Sequence, residues 1–172
     1  MKAVRLLAVL LAVFVFASCN EQPAAPAVPA PQADLIGSLL RPTGLVKCSA
    51  LPAATDVETV GPLGGVLRAG PHVLVIPPDA LREPTKITMT ITTGRGVNGV
   101  HFEPEGLRFR RSAALTMSYA NCDLLGNLLP KRIAYVDDDF DIKYYVNSLL
   151  SGLLSGRVSG RIDHFSDYVV AW

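Results

Sequence analysis

The clearest pattern along this chain is an alternation of apolar and polar side chains in its second half. Ile87, Met89 and Ile91 share one face of residues 86–91, and threonines occupy the other face. Such period-two alternation predicts a half-buried β-strand. Apolar runs bounded by turn residues predict further strands at 66–67, 73–76, 115–119, 133–136, 142–146, 158–163 and 165–170. Short strands separated by turns predict an all-β fold, namely an antiparallel β-sandwich.

Two pairings of neighbouring strands are expected. The strands at 133–136 and 142–146 flank Asp137-Asp138-Asp139-Phe140, which predicts a hairpin with an acidic loop. This loop lacks the twelve-residue calcium pattern with its terminal glutamate, so a solvated hairpin tip is expected. The strands at 158–163 and 165–170 are expected to form a last pair.

Two stretches of the chain have less definite patterns. Asp34–Thr59 is treated as an N-terminal extension of a domain that covers 60–172, and Asp34–Leu40 could form a short helical turn. Leu149–Leu154 has leucines at helical spacing, but Gly152 and Gly156 disfavour a helix there.

The first eighteen residues have the features of an export signal. Lys2 and Arg5 give a positive start, and Leu6–Ala17 is an unbroken apolar run. As a helix this run would span roughly 18 Å, which is too short for a bilayer core of about 30 Å. Residues 1–18 are therefore predicted to be a signal peptide.

The end of this signal, Phe16-Ala17-Ser18-Cys19, resembles the lipobox of bacterial lipoproteins. In that family the signal is cut before the cysteine, which then carries acyl chains. The resemblance implies that an acylated Cys19 anchors the protein in membrane lipid. Phe16 departs from the family, which usually has leucine or another aliphatic residue there. The alternative is an ordinary signal peptide with an incidental cysteine.

Residues 19–33 form a tether rich in proline and alanine. Four prolines within Asn20–Ala33 favour an extended polyproline conformation, which would hold the domain up to roughly 40 Å from the lipid. Asn20 follows the predicted lipid cysteine in place of aspartate, which in some bacteria favours passage to the outer membrane. We therefore expect an exported protein, lipid-anchored to the cell envelope, with the outer membrane favoured.

The charge balance excludes some partners. Lys2 and Arg5 account for two of the 16 basic residues, so the exported part carries 14 basic against 15 acidic side chains. A near-neutral chain has no electrostatic footprint for nucleic acid and no polybasic patch for a membrane surface.

Two cysteines remain once Cys19 is assigned to lipid. In an exported chain, Cys48 and Cys122 are a natural disulfide pair. The alternatives are a metal pair or a redox thiol. Neither is supported, because the sequence has no C-x-x-C spacing and no histidine near either cysteine.

The order of motifs from Gly61 onward resembles the ZU-five domain, a β-sandwich module. The pieces that carry the resemblance are Gly64-Gly65, an apolar strand that ends in Ile76-Pro77, and the turn Phe102–Phe109. Glu103 stands where the family commonly has glycine. In this turn Gly106 is expected to have a positive φ, and the two phenylalanines are expected to pin the turn to the core.

The resemblance implies a non-catalytic protein-interaction domain. Ankyrins, netrin receptors and zonula occludens proteins contain this module and use it to bind protein partners or to pack against their own neighbouring domains. We accordingly expect an unknown envelope protein as the partner, held at loops such as Gly94–Gly99 or Asp137–Phe140.

A second resemblance allows an alternative function. His164-Phe165-Ser166 is similar to the segment at which some ZU-five relatives cut their own chain. There the serine hydroxyl attacks the preceding phenylalanine carbonyl, with a base nearby and a strained peptide. By this resemblance Ser166 would be the nucleophile and His164 the base. The competing interpretation is that both residues only pack and hydrogen-bond.

No other chemistry is indicated. His72, His101 and His164 are scattered without metal-ligand spacing, so we expect neither a metal nor a cofactor. A hydrolase of envelope polymers lacks a paired-carboxylate or nucleophile motif.

Overall fold

The computed structural model describes residues 44–92, 96–123, 130–152 and 155–172, with the side chains of 148–152 excepted. The expectations for residues 1–43, including the signal peptide, Cys19, the tether and the turn at Asp34–Leu40, lie outside this part of the chain. Eleven strands and no helix occur within it: β1 Thr55–Val60, β2 Gly65–Ala69, β3 His72–Ile76, β4 Thr85–Thr92, β5 Gly99–Glu103, β6 Arg108–Ser118, β7 Arg132–Val136, β8 Ile142–Tyr145, β9 Ser148–Gly152, β10 Arg157–His164 and β11 Asp167–Ala171.

The strands form two sheets. Sheet 1 has the order β1-β4-β5-β11-β7-β8, and sheet 2 has the order β2-β3-β6-β10-β9. Every neighbouring pair is antiparallel. The predicted all-β fold of two antiparallel sheets is therefore confirmed. The described residues contain no helix long and apolar enough to cross a bilayer.

The alternation that predicted β4 gives this strand its two faces. Ile87 and Met89 are fully buried and Ile91 is nearly so, while Thr88 and Thr90 are half-buried on the opposite face. β4 lies between β1 and β5, so its backbone groups are paired on both sides. The apolar face of this strand therefore joins the core between the two sheets.

The last two strands do not pair with each other as expected. β10 lies in sheet 2 beside β6, and β11 lies in sheet 1 between β5 and β7. Phe165, in the link between them, exchanges backbone hydrogen bonds with the turn that holds Gly106 and Leu107. Those bonds replace the ones that a hairpin would need, so the chain crosses from one sheet to the other.

Two weaker expectations also change. Residues 148–152 form the edge strand β9, so helical leucine spacing does not produce a helix here. Pairing with β10 gives this segment inter-strand hydrogen bonds that an isolated, glycine-containing helix would lack. β1 begins at Thr55, so part of the N-terminal extension is an edge strand of sheet 1.

The antiparallel strands give the sandwich two distinct ends. We call the end at which the described chain begins the near end, and the opposite end the far end. At the near end the carbonyl of Gly44 accepts the amide proton of Trp172, which follows β11. At the far end the chain makes five connections: 61–64, 77–84, 104–107, 137–141 and 165–166. These connections are the loops that lie furthest from the N-terminal segment along the strand direction.

Candidate functional site

The predicted His164-Phe165-Ser166 segment forms the corner where the chain passes from sheet 2 to sheet 1. Phe165 and Ser166 are buried, and His164 is half-buried. The corner is therefore packed into the far end of the sandwich and is not an open loop.

The Phe165 side chain joins the corner to the turn Phe102–Phe109. Its ring stacks on Phe102 at a centroid distance of 4.8 Å, and its centroid lies 5.0 Å from that of Phe109 in an edge-to-face contact. Gly106, in the turn between these partners, has φ of 75°, as predicted. The turn and the corner thus share one aromatic cluster.

The Phe165 carbonyl, the acceptor in the proposed self-cleavage, has two donors. The Gly106 amide lies 3.1 Å from this oxygen, and His164 Nδ1 lies 3.2 Å from it. The Phe165 amide donates to the Leu107 carbonyl at 2.8 Å. Two donors on one carbonyl polarise it, as an oxyanion hole does.

Both nitrogens of the His164 ring are engaged. Tyr144 Oη lies 2.7 Å from Nε2. If the ring is neutral and Nδ1 donates to Phe165, the Tyr144 hydroxyl must donate to Nε2. Burial raises the pKa of Tyr144, which keeps this hydroxyl protonated. The Tyr168 hydroxyl in turn donates to the His164 carbonyl at 2.8 Å.

The Phe165 carbonyl therefore accepts two hydrogen bonds, one from the Gly106 amide and one from His164. In this arrangement the His164 ring donates to the Phe165 carbonyl, and its lone pair is directed at Tyr144. In the described residues, positive φ values outside glycine occur at Asp79 and Phe140 alone. Phe165 and Ser166 thus carry no left-handed backbone strain.

Cys48 and Cys122 are joined by a disulfide at the near end. The side-chain nitrogen Nδ2 of Asn98 donates to the Ser118 carbonyl at 2.8 Å and to Asn121 Oδ1 at 2.7 Å. These buried polar groups hold the connection after β6 to the segment before β5 beside the disulfide.

The other two histidines lie apart from the corner. His72 is fully buried, accepts the Ser118 amide proton at Nδ1, and has its pKa lowered to about 4 by burial. His101 hydrogen-bonds Asp167 at 2.9 Å on sheet 1. No group of three metal-ligating side chains occurs in the part of the chain that the structure describes.

The acidic hairpin tip is organised by its own first residue. The Asp137 carboxylate accepts the backbone amides of Asp139 and Asp141 and pairs with Lys143 at 2.5 Å. These bonds lower the pKa of Asp137, with the Lys143 contact as the largest cause. The tip is thus a capped turn on the predicted hairpin of β7 and β8.

The sequence patterns did not reveal two features of charge. Lys131 is buried at the near end with Nζ 3.9 Å from the Trp172 ring centroid, and burial lowers its pKa to about 8. Arginines gather around two hollows at the far end: Arg82, Arg108, Arg110, Arg111 and Arg161.

Comparisons with protein-family models and with curated proteins find no match to this chain.

Proposed function

We propose that this protein is an exported bacterial lipoprotein that displays a non-catalytic, ZU-five-like interaction domain on a lipid tether. Cys19 would carry the acyl chains, and residues 19–33 would hold the domain away from the membrane, with the outer membrane favoured. The partner would be another envelope protein. One observation carries the proposal: the described chain enters the sandwich at one end, and the highly exposed Leu63 lies in a connection at the other end.

The near end is suited to attachment. Val46 donates its amide proton to Val170, and the Cys48 amide donates to Gly96, so the N-terminal segment is bonded to the end of sheet 1. The disulfide of Cys48 to Cys122 adds a covalent link at the same place. Such an attachment would transmit force or position from a tether to the whole domain.

The far end is suited to contact with a partner. Leu63, in the connection after β1, is 90% exposed, and it is the most exposed large apolar side chain among the described residues. Burial of an apolar side chain at a loop tip by a partner would favour binding, because it removes apolar surface from water. Loops on a rigid sheet scaffold commonly carry the binding residues of a domain.

Site-specific photo-crosslinking in the producing cells tests the display of the far end. A benzophenone amino acid at Leu63 is expected to give a discrete covalent adduct with an envelope protein. The matched control places the same group at Ala120, an exposed residue of the near end. The proposal fails if Leu63 gives no adduct, or if both positions give the same one.

Fatty-acid labelling tests the anchor separately. Radiolabelled palmitate is expected to enter the protein and to be lost in Cys19→Ala, with the variant leaving the membrane fraction. Labelling that persists in Cys19→Ala would contradict the anchor at this residue.

The polarised Phe165 carbonyl favours one second candidate, self-processing between Phe165 and Ser166. Ser166 Oγ would attack this carbonyl carbon, the peptide C–N bond would break, and the hydroxyl proton would pass to the Ser166 amine. Water would then open the ester to give two chains. Since β11 is paired on both sides, the short fragment would remain bound under native conditions.

Intact-mass analysis after denaturation separates the two candidates. Self-processing predicts loss of the mass of residues 166–172, abolished by Ser166→Ala and kept in the control Ser112→Ala. A single full-length species in the unaltered protein rejects this candidate and leaves the display function standing.

A further inference from the structure

The outer face of sheet 2 carries a hollow of about 350 Å³ that combines apolar walls with guanidinium groups. Val75, Pro77 and Ala114 supply the apolar surface, and Arg111 and Arg161 supply the charge. Val75 is 43% exposed and pairs across the strands with Val66, which is 45% exposed, so the apolar surface continues beyond the hollow.

A second hollow of about 400 Å³ lies at the same far end. Arg82, Arg108 and Arg110 line it, together with the single carboxylate of Glu83. Arg110 of this hollow and Arg111 of the first hollow are consecutive residues of β6.

The arginines of these two hollows form no ion pair with a carboxylate of the described residues. Within the described ranges, no carboxylate lies within 4 Å of any of the five guanidinium groups, and the two ion pairs found there involve His101 and Lys143. The Asp163 carboxylate, at the edge of the first hollow, accepts the Ser112 hydroxyl at 2.5 Å. Arg111 donates to the Pro78 carbonyl at 3.0 Å, which fixes the position of that side chain.

We infer that the first hollow, with Arg111, Arg161, Val75 and Pro77, binds an acidic peptide segment of the partner protein, in which carboxylates alternate with aliphatic side chains. We call this hollow the arginine groove. Guanidinium groups recognise carboxylates by paired hydrogen bonds. The valine and proline walls would hold the aliphatic side chains. The inference rests on the proposed display function and specifies the chemistry of its partner.

The surroundings of the groove favour a peptide over other anions. A sulfated or phosphorylated glycan has no aliphatic side chain to cover Val75 and Pro77. The first hollow lies on the outer face of sheet 2, towards the far end.

Fluorescence anisotropy with the full-length protein in detergent micelles tests the inference. The probes are three labelled nonapeptides that alternate glutamate or aspartate with leucine or valine, and matched peptides with glutamine or asparagine for the acids. We expect binding of at least one acidic peptide, at least tenfold tighter than its neutral match, and weaker in 300 mM than in 50 mM salt.

The variants locate the site. Arg111→Gln with Arg161→Gln is expected to weaken the acidic peptide at least tenfold, and Val75→Asn is expected to weaken it several-fold. The control Arg157→Gln removes an exposed arginine from the near end of the same strand, β10, and is expected to bind normally.

Three results would overturn the inference. The first is no binding of any acidic peptide, and the second is a loss of peptide affinity in Arg157→Gln equal to that in Arg111→Gln with Arg161→Gln. The third is binding of dextran sulfate or phosphatidylglycerol micelles in place of the peptides. Crosslinks from Leu63 in cells would still support the display function in each of these cases, so the two failures are distinguishable.

Discussion

Phe165 lies against Phe102 with ring centroids 4.8 Å apart and ring planes 11° from parallel. Phe165 belongs to the corner between β10 and β11, and Phe102 belongs to β5 at the start of the far-end turn. Both side chains are at most 1% exposed. This stack therefore couples the crossing between the sheets to the turn that supplies a donor to the Phe165 carbonyl.

Truncation of this ring tests its part in the fold. Phe165→Ala is expected to lower the free energy of unfolding by about 3–5 kcal/mol, because it removes a buried ring and leaves a cavity. Urea denaturation followed by circular dichroism measures the loss. Leu63→Ala removes a side chain that is already in solvent and should change stability by less than about 0.5 kcal/mol. A loss below about 1 kcal/mol in Phe165→Ala would contradict the packing.

The disulfide is expected to matter for stability. It joins cysteines 74 residues apart, and the chain-entropy estimate for such a loop is about 4 kcal/mol. Cys48→Ser with Cys122→Ser should lower the unfolding free energy by about that amount. Dithiothreitol should destabilise the unaltered protein and leave the double variant unchanged. Equal stability of both proteins before reduction would show that the bond does not contribute.

The buried His72 predicts a pH dependence. Its folded pKa of about 4 lies below the unfolded value of 6.5, so the unfolded chain binds the additional proton between these limits. The contribution of neutral His72 to the free energy of unfolding is complete above about pH 6.5 and falls as the pH approaches 4. Between pH 7.5 and 4.5 the unaltered protein should lose about 2–3 kcal/mol more than His72→Asn. Parallel losses in the two proteins would argue against a neutral His72.

The contact between Tyr144 and His164 predicts a defined tautomer. With the His164 ring neutral, nitrogen NMR should show its proton on Nδ1, directed at the Phe165 carbonyl. Tyr144→Phe should weaken this preference, because only the Phe165 carbonyl then favours the proton on Nδ1, and it should cost about 1 kcal/mol of stability. The variant Tyr145→Phe, on the same strand β8, serves as the control. A proton on Nε2 in the unaltered protein would contradict the assignment.

Local pattern was sufficient for strands whose own residues determine their faces. β4 and the hairpin of β7 and β8 follow from alternation and from the turn residues between them. The left-handed φ of Gly106 follows from the turn motif around it. In each case the deciding interactions lie within a few residues of one another along the chain.

Sheet membership was not predictable in the same way. β10 and β11 are separated by two residues, yet their partners are chosen by hydrogen bonds between Phe165 and a turn about sixty residues earlier. The contact of Tyr144 with His164 joins residues 20 positions apart. The arginines around the two far-end hollows come from three separate segments of the chain. No local period records such contacts, so they emerge with the tertiary fold.

The place of β11 has a consequence for folding during synthesis. This strand follows the ten others along the chain, yet it lies in the interior of sheet 1 and separates β5 from β7. A ribosome must therefore make all eleven strands before β5 and β7 acquire their shared neighbour. Until then the nascent polypeptide cannot close its larger sheet, so a complete sandwich forms only after the last strand has left the ribosome.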